Sequence, residues 1–398
     1  MMGLRIGNKE LIKDINNYLV IDEIRSTDSI SRAQISKNTN LAQSTITRIV
    51  NPLIENNIIL EVGDGKSTGG RKPVKLIFNY DYGHVIAIKI EQNHFIISLC
   101  NLKPSIVTFE SVKFEMNASF EHVKDLLFKS IRELLIKSKT KNQQVYSICI
   151  SLSGVIDSEN GMLISSTLLN WYNIDLRKKL QDEFNMDVFI ENDSNTFAQY
   201  QKDFEYGADV NNFISITVGE GIGSGIVMNG NLYHGTYGGA GEFGHQILYP
   251  EGKKCYCGQN GCLELYASEN YIIDNINKAL GTHYNYEDIF IKHSVEKEIV
   301  YNNVFNAYRN IGYGIVNLIM LLNPEKIILG VKSDLDISPV KNALINQVNQ
   351  NWFSQKGQLE TKIEFSVLEN EKFILGVSKK SIDELLGKPI YNDYQTIF

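Results

Sequence analysis

Apolar residues recur at helical spacing from Asn8 onward, and Leu11, Ile12, Ile15, Tyr18, Leu19 and Ile24 predict a first amphipathic helix. A short second helix follows, with Ser31 as its cap and an end near Asn38 to Asn40. A third runs from about Ala42 to Asn56. Its residues Ile46, Ile49, Val50, Leu53 and Ile54 form one stripe, leaving Gln43, Ser44, Thr45, Thr47, Arg48 and Asn51 on the other faces. Ile58 to Val62 and Lys75 to Phe78 then alternate like two strands of a hairpin, joined by a loop, 63–73, too polar and glycine-rich to pack in a core. Short helix, turn, helix with a polar N-terminal half and basic hairpin make a winged helix-turn-helix over residues 1–78, the pattern of a DNA reader. Gln43, Ser44, Thr45, Thr47 and Arg48 are its candidate contacts. Arg71 and Lys72, beside Gly69 and Gly70, suit a wing lying close to a minor groove or its phosphates.

Beyond residue 79 the period changes. Strand-like runs at 85–90, 95–101, 145–151, 188–190, 213–218, 225–228 and 326–330 are interleaved with helical patterns near 120–138 and 304–322. Strands and helices in two successive sets predict an α/β core spanning 79–398.

Composition narrows the class. With 398 residues, 43% hydrophobic and 21% charged, the chain is globular and multi-domain, which excludes a disordered or collagen-like protein. No apolar run approaches the roughly 18 residues of a membrane span, and charges interrupt Met1 to Ile24 where a signal peptide would be apolar. A cytoplasmic protein without a membrane partner is expected. The net charge of −7 argues against nucleic acid only on average. Residues 1–78 hold 11 Lys+Arg against 8 Asp+Glu, a net of +3, leaving 28 against 38, or −10, for residues 79–398. A mildly basic reader is joined to an acidic body.

Cysteine and glycine concentrate where chemistry is to be sought. Thirteen of the 30 glycines lie between Gly219 and Gly261, and three of the five cysteines within eight residues. Cys100 and Cys149 sit in apolar runs and read as inert core thiols. His245, Cys255, Cys257 and Cys262 read H-x9-C-x-C-x4-C. Three thiolates and an imidazole favour a closed, tetrahedral, structural zinc site, with Gly258 and Gly261 letting the loop curl around the ion.

The segments 30–36, 41–49 and Gly69-Gly70-Arg71-Lys72-Pro73 resemble the winged helix of ROK family regulators. Gly241-Glu242-Phe243-Gly244-His245, followed by Cys255-Tyr256-Cys257-Gly258-Gln259-Asn260-Gly261-Cys262-Leu263-Glu264, resembles the family's zinc-holding signature, and Leu265-Tyr266-Ala267-Ser268 extends the likeness toward its xylose repressors. The resemblance implies a two-lobed sugar-kinase and actin-like ATPase fold, with lobes at 79–195 and about 196–398, a cleft between them and a last helix returning to the first lobe. By the same resemblance, Asp193 of Glu191-Asn192-Asp193-Ser194-Asn195 matches the general base of family kinases, here vestigial. Asn192, Glu242, His245 and Glu264 match further sugar contacts, and Gly154 a backbone contact. Carboxylates and an amide are what a polyhydroxylated ligand needs.

The phosphate-binding half departs from the family. Where kinases carry D-x-G-G-T, this chain has Lys89-Ile90-Glu91-Gln92-Asn93, and Glu220 replaces a threonine in the second glycine loop. Two bulky side chains, one anionic, oppose a triphosphate. The expectation is a sugar-responsive repressor, homodimeric or higher, that binds operator DNA and carries no enzyme activity. The rival is an active sugar kinase with a DNA-binding domain.

Overall fold

The first helix starts where Asn8 accepts a hydrogen bond from the backbone N–H of Leu11 at 2.8 Å, an N-cap that satisfies one of the helix's orphan donors. A computed structural model of the chain describes residues 8–64, 74–140, 144–285, 288–289, 297–332, 338–350 and 361–387. Helix α1 (Lys9–Arg25) is followed by the short strand β1 (Ile30–Ser31), α2 (Arg32–Thr39) and α3 (Gln43–Glu55). Ser31 and Gln34 form a reciprocal capping box on α2, and Asn40, left-handed at φ 59°, stops it. Strands β2 (Ile59–Asp64) and β3 (Val74–Phe78) pair antiparallel, and β1 adds to β3. The winged helix-turn-helix expected from the sequence is therefore present. Its stripe on α1 differs: Ile12 and Leu19 are exposed, while Val20 and Ile21 are buried.

Two five-stranded sheets follow. The first comprises β4 (His84–Ile90), β5 (His94–Asn101), β6 (Ile106–Lys113), β7 (Val145–Leu152) and β11 (Asp187–Asn192) in the order β11-β7-β4-β5-β6. A small meander, β8 (Val155–Asp157), β9 (Met162–Ser166) and β10 (Trp171–Asp175), leads from β7 toward β11. The second sheet comprises β12 (Phe213–Val218), β13 (Ile222–Met228), β14 (Asn231–Leu232), β15 (Lys326–Val331) and β16 (Lys362–Val367) in the order β16-β15-β12-β13-β14. The order and the senses match: a meander of three antiparallel strands, then two parallel additions beside its first strand. The fold is thus a duplicated α/β unit.

Each sheet is covered on both faces. Helices α4 (Phe120–Thr140) and α5 (Leu176–Phe184) lie on one side of the first sheet, and α7 (Glu269–Leu280), α8 (Lys297–Leu322) and α9 (Ser338–Val348) on one side of the second. The remaining two helices cross over. Helix α6 (Asp193–Phe204), which leaves the first sheet, packs on β12 and β13, and α10 (Asn370–Leu385), which leaves the second, packs on β4 and β7. Ile374, Val377, Ile382, Leu385 and Leu386 of this last segment join one core with Val85, Ala87 and Cys149 of the first sheet. The same core contains Val20, Ile21, Ile24, Ile46, Ile49, Val50 and Leu53 of the DNA-reading helices.

Helices α6 and α10 touch at Gly376, where a Cβ would overlap the backbone carbonyl of Thr196. In Gly376→Ala the helix propensity gain of about 1 kcal/mol is opposed by overpacking of about 1–3 kcal/mol against a backbone atom. A net fall in the denaturant midpoint is expected, and an unchanged midpoint would mean that the helices stand further apart than described.

Candidate functional site

Strand β11 ends in Glu191 and Asn192 and passes directly into α6 at Asp193, so polar side chains project from the carboxyl edge of a parallel strand pair. Asn192 caps α6, its Oδ1 accepting from the backbone N–H of Asn195 at 3.1 Å, and its Nδ2 donates to the carbonyl of Gly154 at 2.9 Å. Gly154 lies in the turn after β7 at φ +133°, and a Cβ there would overlap the carbonyl of Ser165. Asn192 and Gly154 are thus brought together across the first half of the fold.

Asp193 opens α6, where the helix N-terminus favours an anion. Desolvation nevertheless pushes its carboxyl up to about 6. Lys89 pulls against that rise, while the charges of Glu91 and Glu242 add to it. The carboxylates of both halves therefore face a common region.

Two short turns carry the rest: Phe243–His245, preceded by Glu242, and Leu263–Tyr266, which includes Glu264. Glu264 is buried; its Oε2 accepts from the backbone N–H of Ile222 at 2.8 Å and its Oε1 from the Tyr256 hydroxyl at 2.7 Å. The Tyr256 hydroxyl also lies 3.1 Å from Nε2 of His245, and Glu242 Oε2 is 3.9 Å from the same nitrogen. Desolvation raises the Glu242 carboxyl, His245 lowers it and Glu264 raises it further.

His245, Cys255, Cys257 and Cys262 each offer a donor atom within 4.8 Å of the others, a cluster that could hold a metal ion. The Sγ atoms of Cys257 and Cys262 are 3.5 Å apart, and Cys255 Sγ is 3.6 Å from His245 Nδ1. Tetrahedral ligands at about 2.3 Å would stand about 3.8 Å from one another, so the set fits such an ion. Gly261, at φ +73°, sits where a Cβ would overlap the carbonyl of Tyr249. His245 appears in both the metal and the sugar sets read from the sequence; its Nδ1 turns to the thiols and its Nε2 to Tyr256 and Glu242.

Lys89 is buried at the end of β4. Its ammonium pairs with Glu91, donates to Asn370 Oδ1 at 3.0 Å and lies 3.6 Å from the centroid of the Phe373 ring. Among the reading residues, Gln43, Ser44, Thr47 and Arg48 are exposed on α3 and Thr45 is half-buried. Arg71 and Lys72 lie outside the described residues. Two residues of the site carried no assignment from the sequence: Tyr256, hidden inside the cysteine motif, and Glu191. A carboxylate closing the apolar run 188–190 is the signal that marks the second.

The profile described as ROK family matches residues 85–380, and one described as winged helix-turn-helix DNA-binding matches residues 13–59. The xylose repressor of Caldicellulosiruptor bescii is 31% identical over 401 residues, covering 97% of this chain and 100% of that protein. A crystal structure of a ROK family transcriptional regulator, described as a homolog of the Escherichia coli MLC protein, superposes with a TM-score of 0.79 at 26% identity, covering 94% of this chain and 97% of that one. The ROK hexokinase of Thermus thermophilus shares the fold of the body, with a TM-score of 0.63 at 21% identity over 74% of this chain and 97% of its own. Matched over most of its length by the family profile, and nearly end to end by a repressor, the chain belongs to the ROK family, as a winged helix-turn-helix joined to a sugar-kinase-like α/β fold.

Proposed function

We propose that this chain is a sugar-responsive transcriptional repressor, which holds operator DNA through α3 and its wing and releases it when a sugar occupies the site around Asn192 and Asp193. The observation that carries this reading is the shared core: DNA-reading helices and a body bearing polar groups suited to hydroxyls are packed as one structure. Asn192, Asp193, Glu242, His245, Glu264 and the backbone at Gly154 are the proposed sugar contacts. Xylose is the first candidate, supported by the named relative. Winged-helix readers use paired half-sites, which supports a homodimer or higher homo-oligomer. No helix among the described residues is long and apolar enough to cross a membrane, in keeping with a cytoplasmic regulator.

We read the chain as a binder and not an enzyme. Lys89 stands where family kinases carry an acid for magnesium, and Glu91 and Gln92 replace their glycines, so a triphosphate would meet bulky side chains and an anion where the family has open backbone. For the cysteine cluster we assign structural zinc, held by His245, Cys255, Cys257 and Cys262. Bound at Nδ1 of His245, it would keep the proton on Nε2, which then donates to Tyr256.

Three outcomes test this. Arg48→Ala or Arg71→Ala should weaken operator binding in gel-shift titrations by about 1–3 kcal/mol while sugar affinity is unchanged; full operator affinity in both would contradict the winged-helix assignment. Sugar hydroxyls donating to Asp193 favour its ionised form, so affinity should rise with pH through about 6. Calorimetry near that pH in buffers of different ionisation enthalpy should show proton release on binding, absent in Asp193→Asn. Elemental analysis should find one zinc per chain in the purified protein, lost in Cys257→Ser together with a lowered Tm; a metal-free wild type would refute the assignment.

A further inference from the structure

Glu191 lies in the strand end just before the sugar-site pair Asn192 and Asp193, with its side chain 1% exposed. Its Oε1 accepts from Ser158 Oγ at 3.1 Å, from the backbone N–H of Asn192 at 3.0 Å and from Asn195 Nδ2 at 3.0 Å. Its Oε2 lies 2.8 Å from Nε2 of His234 and 3.3 Å from the Lys380 ammonium. Burial would push this carboxyl up, but the bond from His234, the charge of Lys380 and the Asn195 amide outweigh it and hold it at about 2. With about four lone-pair sites on a carboxylate, both oxygens are saturated by protein groups.

The donors come from distant parts of the chain. His234 follows β14 of the second sheet, in the loop that runs to Gly241 and Glu242. That loop rests on the first half of the fold at Gly238, where a Cβ would overlap the carbonyl of Ile156. Lys380 belongs to α10. Its neighbour Ser381 shares a 2.6 Å hydrogen bond with Ser147 of β7, and Ile382, Leu385 and Leu386 lie in the core of the DNA-reading helices. Helix α10 is gripped a second time by Lys89, at Asn370 and Phe373. The two grips are ten residues, or about 15 Å of helix, apart, so together they set the axis of α10 as well as its position.

We propose that His234 and Lys380 are positioning residues that couple the sugar site to the DNA-reading helices through Glu191. This rests on the sugar reading of Asn192, Asp193 and Glu242 given above. A sugar seated between Asn192 and Glu242 bears on both ends of the linkage, because Glu191 adjoins the first and the loop of His234 carries the second. A change in the His234 contact alters how much of the Glu191 charge falls to Lys380, and so where α10 sits against α1 and α3. Coupling requires only that the cluster differ between the DNA-competent and DNA-released arrangements.

The test uses the full chain, operator DNA and D-xylose as probe, with D-glucose and N-acetyl-D-glucosamine as further arms. In wild type, saturating sugar should weaken operator binding by about 5- to 150-fold. In Lys380→Met and His234→Gln that ratio should fall toward 1, while sugar Kd by calorimetry and sugar-free operator Kd stay close to wild type. Lys380→Arg, which keeps the charge, should restore most of the ratio. A merely structural role would lower Tm and both affinities and leave the ratio intact, and that outcome overturns the proposal. Should Lys380→Met fail to fold, His234→Gln decides alone, since its exchange leaves the Glu191–Lys380 pair in place. A wild type that binds none of the three sugars overturns the sugar reading itself; a wild type that responds while both variants respond equally overturns only the coupling role.

Discussion

Burial of apolar surface fixes the DNA-reading helices to the body that would sense the ligand. Val20, Ile21, Ile24, Ile49 and Leu53 share a core with strands of the first sheet and with the end of α10. Much of that burial is internal to the reader, where α1, α2 and α3 pack on one another and on β2 and β3; at the joint to the body the Tyr80 hydroxyl donates to the Arg25 carbonyl at 3.0 Å, and Leu385 and Leu386 line one cavity with Ile21, Ile49 and Leu53.

Lys89 ties the end of β4 to α10. A buried ammonium with no partner is costly. Glu91, Asn370 and the Phe373 ring satisfy this one, and two of those three belong to α10. The Asp193 carboxyl, at the start of α6, is desolvated and flanked by the charges of Glu91 and Glu242.

Much of this was legible in the sequence, and the parts that were not have physical reasons. The helix expected over 42–56 is α3 (Gln43–Glu55), the loop motif does gather four metal-type donors, and Cys100 and Cys149 are buried. The stripe on α1 differs because Ile21 lines a cavity with Leu385 and Leu386 from the far end of the chain, which periodicity within seventeen residues does not reveal. The strands β8 to β10 have three to five residues each, too few to establish an alternation. Helix α10 buries Gly376, Ser378 and Ser381, small residues that permit close approach to α6 and β7. Glu191, His234 and Lys380 are separated by 43 residues or more, and only the fold makes them one cluster.

The exchange of helices between the two halves has a consequence for how the protein comes into being. A sheet face that waits for the other half's helix stays open until that helix exists, so neither half closes on its own strands alone. The winged helix precedes the body in the chain, and Leu385 and Leu386, which join its core, come more than three hundred positions later. Contacts of such sequence separation form late, so the nascent reader holds its own fold before it holds its place. The competence to answer a ligand is thus the last property the chain acquires, after the capacity to touch DNA.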